Sequence, residues 1–171
     1  MAGTNDVRSI FIVGLRNAHA MENQALSIMQ PQVKRIEHYP EVGQRLQEHV
    51  RETEAQQQRL ETVLGQFDEG HSSLKDMALS MVGSMAALAH SAADDEILKN
   101  SFANFAFENF EIAAYKSLRT LAELGGFQSA IAVIEQNLAE EEAMARWLEE
   151  HLDSTTRRYA SLSASGETAK I

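Results

Sequence analysis

Apolar residues recur every three or four positions through most of the chain. Behind Asp6, a plausible N-cap, Ile10, Phe11, Val13, Ala18, Met21, Ala25, Leu26, Ile28, Met29 and Val33 follow a period close to 3.6 and predict a first helix over about residues 6–36. Pro31 should kink it or end it early. The turn His38-Tyr39-Pro40-Glu41 places proline at a first helical position, and Val42, Leu46, Val50, Leu60, Val63, Leu64 and Phe67 predict a second helix over about 40–67. Asp68-Glu69-Gly70 stops it. Leu74, Met77, Met81, Met85 and Leu88 form one stripe, which reads as a shorter amphipathic helix over 73–90 whose methionines pack against the rest of the protein. A third helix, about 94–124, carries Phe102, Phe105, Phe107, Phe110, Ile112, Tyr115, Leu118 and Leu121 around its circumference and ends at Gly125-Gly126. The fourth, about 127–153, has a seam of Ile131, Ile134, Leu138, Ala145, Leu148 and Leu152. Residues 154–171, rich in Ser, Thr and Ala, read as a frayed or flexible tail after a bundle domain of residues 1–153.

The tight turns between helices 1 and 2 and between helices 3 and 4 make two antiparallel hairpins, joined by the 28 residues from 68 to 95. That connection is long enough to run the length of a ~40 Å helix. The expected fold class is therefore all-α, a ferritin-like up-down four-helix bundle with one long crossover containing a short fifth helix.

Composition narrows the chemistry. With no cysteine among 171 residues, disulfides, thiolate zinc sites, cysteine-held iron–sulfur clusters and cysteine nucleophiles are excluded, so any metal must sit on oxygen or imidazole. Fifteen Lys and Arg against 25 Asp and Glu give a net charge of −10, which repels phosphate backbones and argues against a nucleic-acid partner. A cationic metal or an oligomeric partner fits better. No stretch reaches the ~20 apolar residues of a membrane span, and the apolar run over 10–15 is too short for a secretory signal, so a cytoplasmic location is the default expectation. There is no Gly-rich phosphate loop, nucleophile elbow or His-Glu-x-x-His helix either.

Several glutamates stand at positions where the pattern demands apolar side chains. The fourth seam reads Ile134, Leu138, Glu141, Ala145, and the third reads Phe105, Glu108, Ile112, Tyr115, with Glu111 one turn on. The first reads Ala18, Glu22, Ala25, and the second turns polar through His49, Thr53 and Gln56, with Glu52 beside them. Glu22 lies 17 residues before Tyr39 and Glu52 13 after it; Glu108 lies 17 before Gly125 and Glu141 15 after Gly126. At ~1.5 Å per residue, all four carboxylates fall within about one turn of a common plane. An unpaired buried carboxylate takes a proton, a partner or a metal. Convergent carboxylates in a dry core suit iron or manganese, as two ions bridged by Glu52 and Glu141 or their neighbours, with His49 able to face the same site. The competing reading has some of these side chains protonated, or at the surface on Arg16, Arg45, Lys116 or Arg119. His19, His38, His71, His90 and His151 fall near exposed faces or ends and receive no role.

The segments Ala20-Met21-Glu22-Asn23-Gln24, 49–56, Glu108-Asn109-Phe110-Glu111-Ile112-Ala113-Ala114-Tyr115 and Leu138-Ala139-Glu140-Glu141-Glu142 resemble the YciF-like (YciE/YciF) ferritin-like proteins over about residues 7–152. The resemblance implies a stress-associated, rubrerythrin-related bacterial bundle, often a homodimer, in which Glu22, Glu52, Glu108 and Glu141 stand at the ligand-bearing positions. The chain departs from the Glu-x-x-His pattern of di-iron bundles, having Ala55 three residues after Glu52 and Met144 three after Glu141. Two functions follow as expectations. One is a protein with a carboxylate-rich dinuclear metal site, acting on oxygen or peroxide with Tyr115 nearby; the other is a non-enzymatic dimeric bundle whose metal-free polar layer fixes helix register. A storage cage is a third and weaker reading.

Overall fold

The computed structural model of the chain describes residues 4–67 and 93–171. Four helices occupy them: α1, Thr4–Val33; α2, Pro40–Gly65; α3, Glu96–Gly125; and α4, Gln128–Ser165. The Met-rich segment 73–90 lies outside the described residues, and among those described there is no strand. Nor is any described helix long and apolar enough to cross a membrane.

Local chemistry sets the helix ends. Pro31 stays inside the last turn of α1, which ends at Val33. Pro40 opens α2 at a position where its missing N–H would have been unpaired anyway. Gly126, at φ 71°, takes the left-handed conformation that stops α3 and lets the Phe127 N–H reach back 2.9 Å to the Ala122 carbonyl.

Each helix packs on two others, in the cyclic order α1, α2, α4, α3. One end of the bundle is held by a triad of rings from the start of α1, the end of α2 and the start of α4. Phe11 stacks on Phe127 at 4.8 Å, and Phe67 meets them edge-on at 5.5 and 5.1 Å. At the other end, Gln32 of α1 and Asn104 of α3 exchange two buried amide hydrogen bonds of 3.1 and 3.0 Å. Arg35 donates to the buried Glu96 carboxylate there as well. Neighbouring helices therefore run antiparallel, and the end of α2 and the start of α3 lie at opposite ends of the bundle. This is the ferritin-like arrangement that the long connection implies.

The C-terminal region differs from the sequence expectation. Residues 154–165 continue α4 instead of fraying, because Thr155, Tyr159 and Leu162 extend the inward stripe of Leu148 beyond the point where Ser and Thr dominate the composition. After Gly166, at φ 74°, the last residues fold back over the end of the bundle. The Tyr39 hydroxyl donates to the Ala169 carbonyl at 2.6 Å, and the Ile97 N–H, which begins α3 and has no helical acceptor, donates to the Lys170 carbonyl at 2.9 Å. Tyr39→Phe should remove about 1 kcal/mol of stability. In thermal unfolding followed by circular dichroism this appears as a midpoint about 2–4 °C lower, whereas Ser163→Ala on the exposed face of α4 leaves the midpoint in place.

Candidate metal centre

Half-way along the bundle the core changes from aliphatic to ionisable. On α2, the inward row Leu46, His49, Thr53, Gln56, Leu60 is apolar only at its ends. On α3, Glu108 and Glu111 are successive inward positions three residues apart, with Tyr115 one turn further. On α4, Glu141 follows Asn137 by one turn, and α1 contributes Glu22 between Ala18 and Ala25. Glu22, His49, Glu111 and Glu141 are fully buried and Glu108 is 2% exposed.

His49, Glu108, Glu111 and Glu141 each place one ligand-type atom so that all four lie within 4.8 Å of one another. The His49 Nε2 atom is 3.2 Å from Glu108 Oε2 and 3.4 Å from Glu141 Oε2. Its Nδ1 faces Glu52 Oε2 at 2.8 Å, and Arg45 donates to that same oxygen at 3.0 Å. Gln56 donates to Glu141 Oε1. Tyr115 donates its hydroxyl proton to Glu22 Oε1 and accepts a 2.9 Å bond from Asn137 Nδ2, while Arg59 donates to Asn137 Oδ1 at 2.7 Å. The remaining atoms of the centre have no partner in hydrogen-bonding geometry: Glu22 Oε2, His49 Nε2, Glu108 Oε2, both oxygens of Glu111 and Glu141 Oε2. Buried polar atoms are rarely left this way without a ligand or a function.

The layer distributes charge unevenly. Burial, reinforced by the Glu141 charge, pushes the Glu22 carboxyl well above the usual carboxylate range. Burial does the same to Glu111, with Glu22, Glu141 and Glu108 adding repulsion. Glu108 is raised by burial to about 8, even though His49 pulls the other way. Burial works against the charged imidazole of His49 too, but Glu108, Glu141 and Glu52 together outweigh it and keep the ring protonated well above its ordinary range. Burial also opposes ionisation of Glu141, yet the adjacent His49 ring and the bond from Gln56 leave it below its usual value. Glu52 is lowered to about 2, chiefly by its hydrogen bond to His49. The resting layer is thus an imidazolium beside one ionised carboxylate and several protonated ones.

Of the residues singled out in the sequence, His49, Glu108, Glu111 and Glu141 come together. Glu22 adjoins them, with one oxygen committed to Tyr115. Glu52 does not join the set: its side chain is 35% exposed and paired with Arg45, and it reaches the centre only through His49. Glu52 thus stands behind His49 rather than among the converging ligand atoms. His19 also differs from expectation, since it is buried against α2 with its Nε2 3.0 Å from Glu61. Asn137 and Arg59 escaped the sequence reading. Asn137 carried a usable signal, standing one turn before Glu141 on the inward face.

Across residues 6–161 the chain matches the family described as Domain of unknown function (DUF892). The protein is a member of that family. A bundle of the same architecture is seen in the crystal structure of a protein from Xanthomonas campestris, 29% identical, with a TM-score of 0.77 over 92% of this chain and 99% of that one. The fold is also that of the Escherichia coli stress protein YciF, 20% identical, with a TM-score of 0.64 over 89% of this chain and 96% of the other. The YciF-like resemblance of the sequence is thus matched by the three-dimensional structure.

The protonation pattern determines how stability depends on pH. Glu108 holds its proton to about pH 8 in the folded protein, whereas an unfolded glutamic acid releases it near 4.5. Between those values the folded state binds a proton that the unfolded state lacks, so raising the pH favours unfolding. Glu22 and Glu111 act in the same direction, and the contribution of His49 is complete below its ordinary 6.5 and fades as pH passes its raised value. Glu52 acts oppositely and lower: its contribution is present above 4.5 and lost as pH falls toward 2. Chelator-treated protein should therefore melt at progressively lower temperature from pH 5 to pH 8, and Glu108→Gln should flatten that slope in calorimetry. A melting temperature that rises over this interval contradicts the assignment.

Proposed function

We propose that this DUF892 protein binds one or two iron or manganese ions in the bundle core through His49, Glu108, Glu111 and Glu141, with Glu22 adjoining. The observation that carries the reading is the convergence of four buried ligand atoms, from His49, Glu108, Glu111 and Glu141 on three helices, within 4.8 Å of one another, in a layer where six nitrogen and oxygen atoms have no hydrogen-bond partner. Carboxylate oxygens with a single imidazole suit hard and borderline divalent ions, and the absence of cysteine leaves no thiolate donor. Such ions supply redox chemistry with oxygen or peroxide when bound.

Around that set, the side chains have separable tasks. Glu52, held by Arg45, accepts from His49 Nδ1 and turns Nε2 inward, the arrangement by which carboxylates commonly orient metal-binding imidazoles. Gln56 holds Glu141 by one oxygen and leaves the other free. Tyr115 keeps a proton at its hydroxyl, burial and Glu22 both opposing its release. The reading extends to a homodimer, supported by the exposed Ile10, Val13, Phe102, Phe110 and Leu124, all of which lie on α1 and α3. It also extends to a role in the stress response, by likeness to the protein from Escherichia coli.

A second reading rests on the bonds Tyr115 to Glu22 and Gln56 to Glu141, which cross between helices and fix register without a metal. The two readings part under titration. Protein expressed with supplementary iron and manganese should carry metal by elemental analysis. Chelation should lower its melting temperature, by the equivalent of about 2.7 kcal/mol if the ion stood at a hundred times its dissociation constant. Glu108→Gln combined with Glu141→Gln should abolish uptake. Metal-free protein that gains no ion on titration, together with a double variant at least as stable as the parent, selects the register-fixing layer instead.

A further inference from the structure

The two broad faces of the bundle present different surfaces to a cation approaching the centre. Between α1 and α3 runs a groove of about 400 Å³ whose walls include Gly14, Ala18, Met21, Phe110, Leu118 and Leu121. Asn17 and Ser117 are the polar side chains of that lining and no charged one joins them, so a divalent ion crossing it gives up hydration with no carboxylate to replace it. Between α2 and α4 the surface is polar and reaches inward. Glu52 and Glu140 are partly exposed carboxylates on this face, 35% and 23% by side chain, and each carries an arginine, Arg45 and Arg59 respectively. Each is also one buried side chain away from Glu141. Glu52 reaches it through His49, by contacts of 2.8 and 3.4 Å, and Glu140 through Gln56, whose amide spans both carboxylates. Outside Glu52 lies a depression of about 260 Å³ lined by Glu41, Gln44, Arg45, Glu48, Trp147 and His151. Arg45 borders this depression and is itself mostly buried, 13% exposed, with its guanidinium on the Glu52 oxygen that also binds His49.

We propose that divalent cations reach the centre through the α2–α4 seam and that Arg45 gates it by occupying Glu52. The inference rests on the metal-binding reading above and adds the route. Glu41 and Glu48 raise the local cation concentration at the mouth, and Glu52 is the first carboxylate on the path inward. An incoming ion must displace the Arg45 guanidinium from it, because a positive charge already fills that position. Behind Glu52, the His49 ring is the side chain that would stand between the ion and Glu141.

Uptake of Co2+ followed by its visible absorption in a stopped-flow instrument tests this without reference to any activity. Arg45→Gln should take up Co2+ at least several-fold faster than the parent, and Arg45→Lys, which keeps the charge on a more mobile stem, should fall between them. Phe110→Ala opens the α1–α3 groove and should keep the parental rate. An Arg45→Gln rate equal to or below that of the parent, or acceleration by Phe110→Ala, overturns the route while leaving the metal site standing. If the parent protein develops no Co2+ absorption at any concentration, the metal-binding reading itself fails and the route goes with it.

Discussion

A carboxylate withdrawn from water must lose its charge, meet a counter-charge or bind a cation, and this bundle brings four glutamates into one layer around a single imidazole. Glu22, Glu108, Glu111 and Glu141 are contributed by three helices and His49 by the fourth, so the layer exists only while all four helices keep their register. The features at the two ends of the bundle serve that requirement. The ring triad of Phe11, Phe67 and Phe127 pins one end, and the Gln32 to Asn104 amide pair pins the other. A slip of one turn along any helix, ~5.4 Å, would leave a carboxylate among aliphatic neighbours with neither proton-sharing partner nor counter-ion. Buried charge is thus both a liability and a strong selector of one packing over its neighbours.

The cost of the layer is distributed by chemistry rather than evenly. His49 carries the positive charge, Glu141 stays ionised beside it, and Glu22, Glu108 and Glu111 retain protons. The same division separates the faces of the bundle. The α2–α4 side carries arginine-paired carboxylates that touch the layer through one intermediate each, and the α1–α3 side carries exposed phenylalanines and an apolar groove. One face therefore suits ions and the other suits a nonpolar partner surface.

Much of this was legible in the sequence because it rests on periodicity. The four helices follow from apolar spacing and from the punctuation at Pro40 and Gly126, and counting residues from the turns placed the polar layer at one height. Height, however, is not direction. His49 and Glu52 are three residues apart, close in height but about 60° apart around the helix, and the packing of α2 against α4 decides that the histidine points inward. The sequence pattern therefore located both residues and set Glu52 beside His49, with Arg45 among its possible partners, but did not decide which of the two faces the core. The extension of α4 was missed for a related reason: Thr155, Tyr159 and Leu162 hold the inward face while Ser, Thr and Arg crowd the outward one, and the composition conceals the stripe. Asn137 stands one turn before Glu141 on the inward face, but its partners Tyr115 and Arg59 come from two other helices and follow from packing rather than from periodicity.

The order of histidine and glutamate on α2 carries a further consequence. Di-iron bundles commonly place histidine three residues after a ligating glutamate, whereas here His49 precedes Glu52 by three. Reversal exchanges the roles: the histidine enters the core and the glutamate stands behind it, accepting from Nδ1. With Nδ1 held in this way, a proton gained or lost by the ring is the one on Nε2, which lies 3.2 Å from Glu108 and 3.4 Å from Glu141. On the proposed reading, a cation takes the place of that proton and of those on the neighbouring carboxyls, positive charge for positive charge. Glu52, Gln56 and Tyr115, which already hold His49, Glu141 and Glu22 without an ion, would keep those side chains in place to receive it.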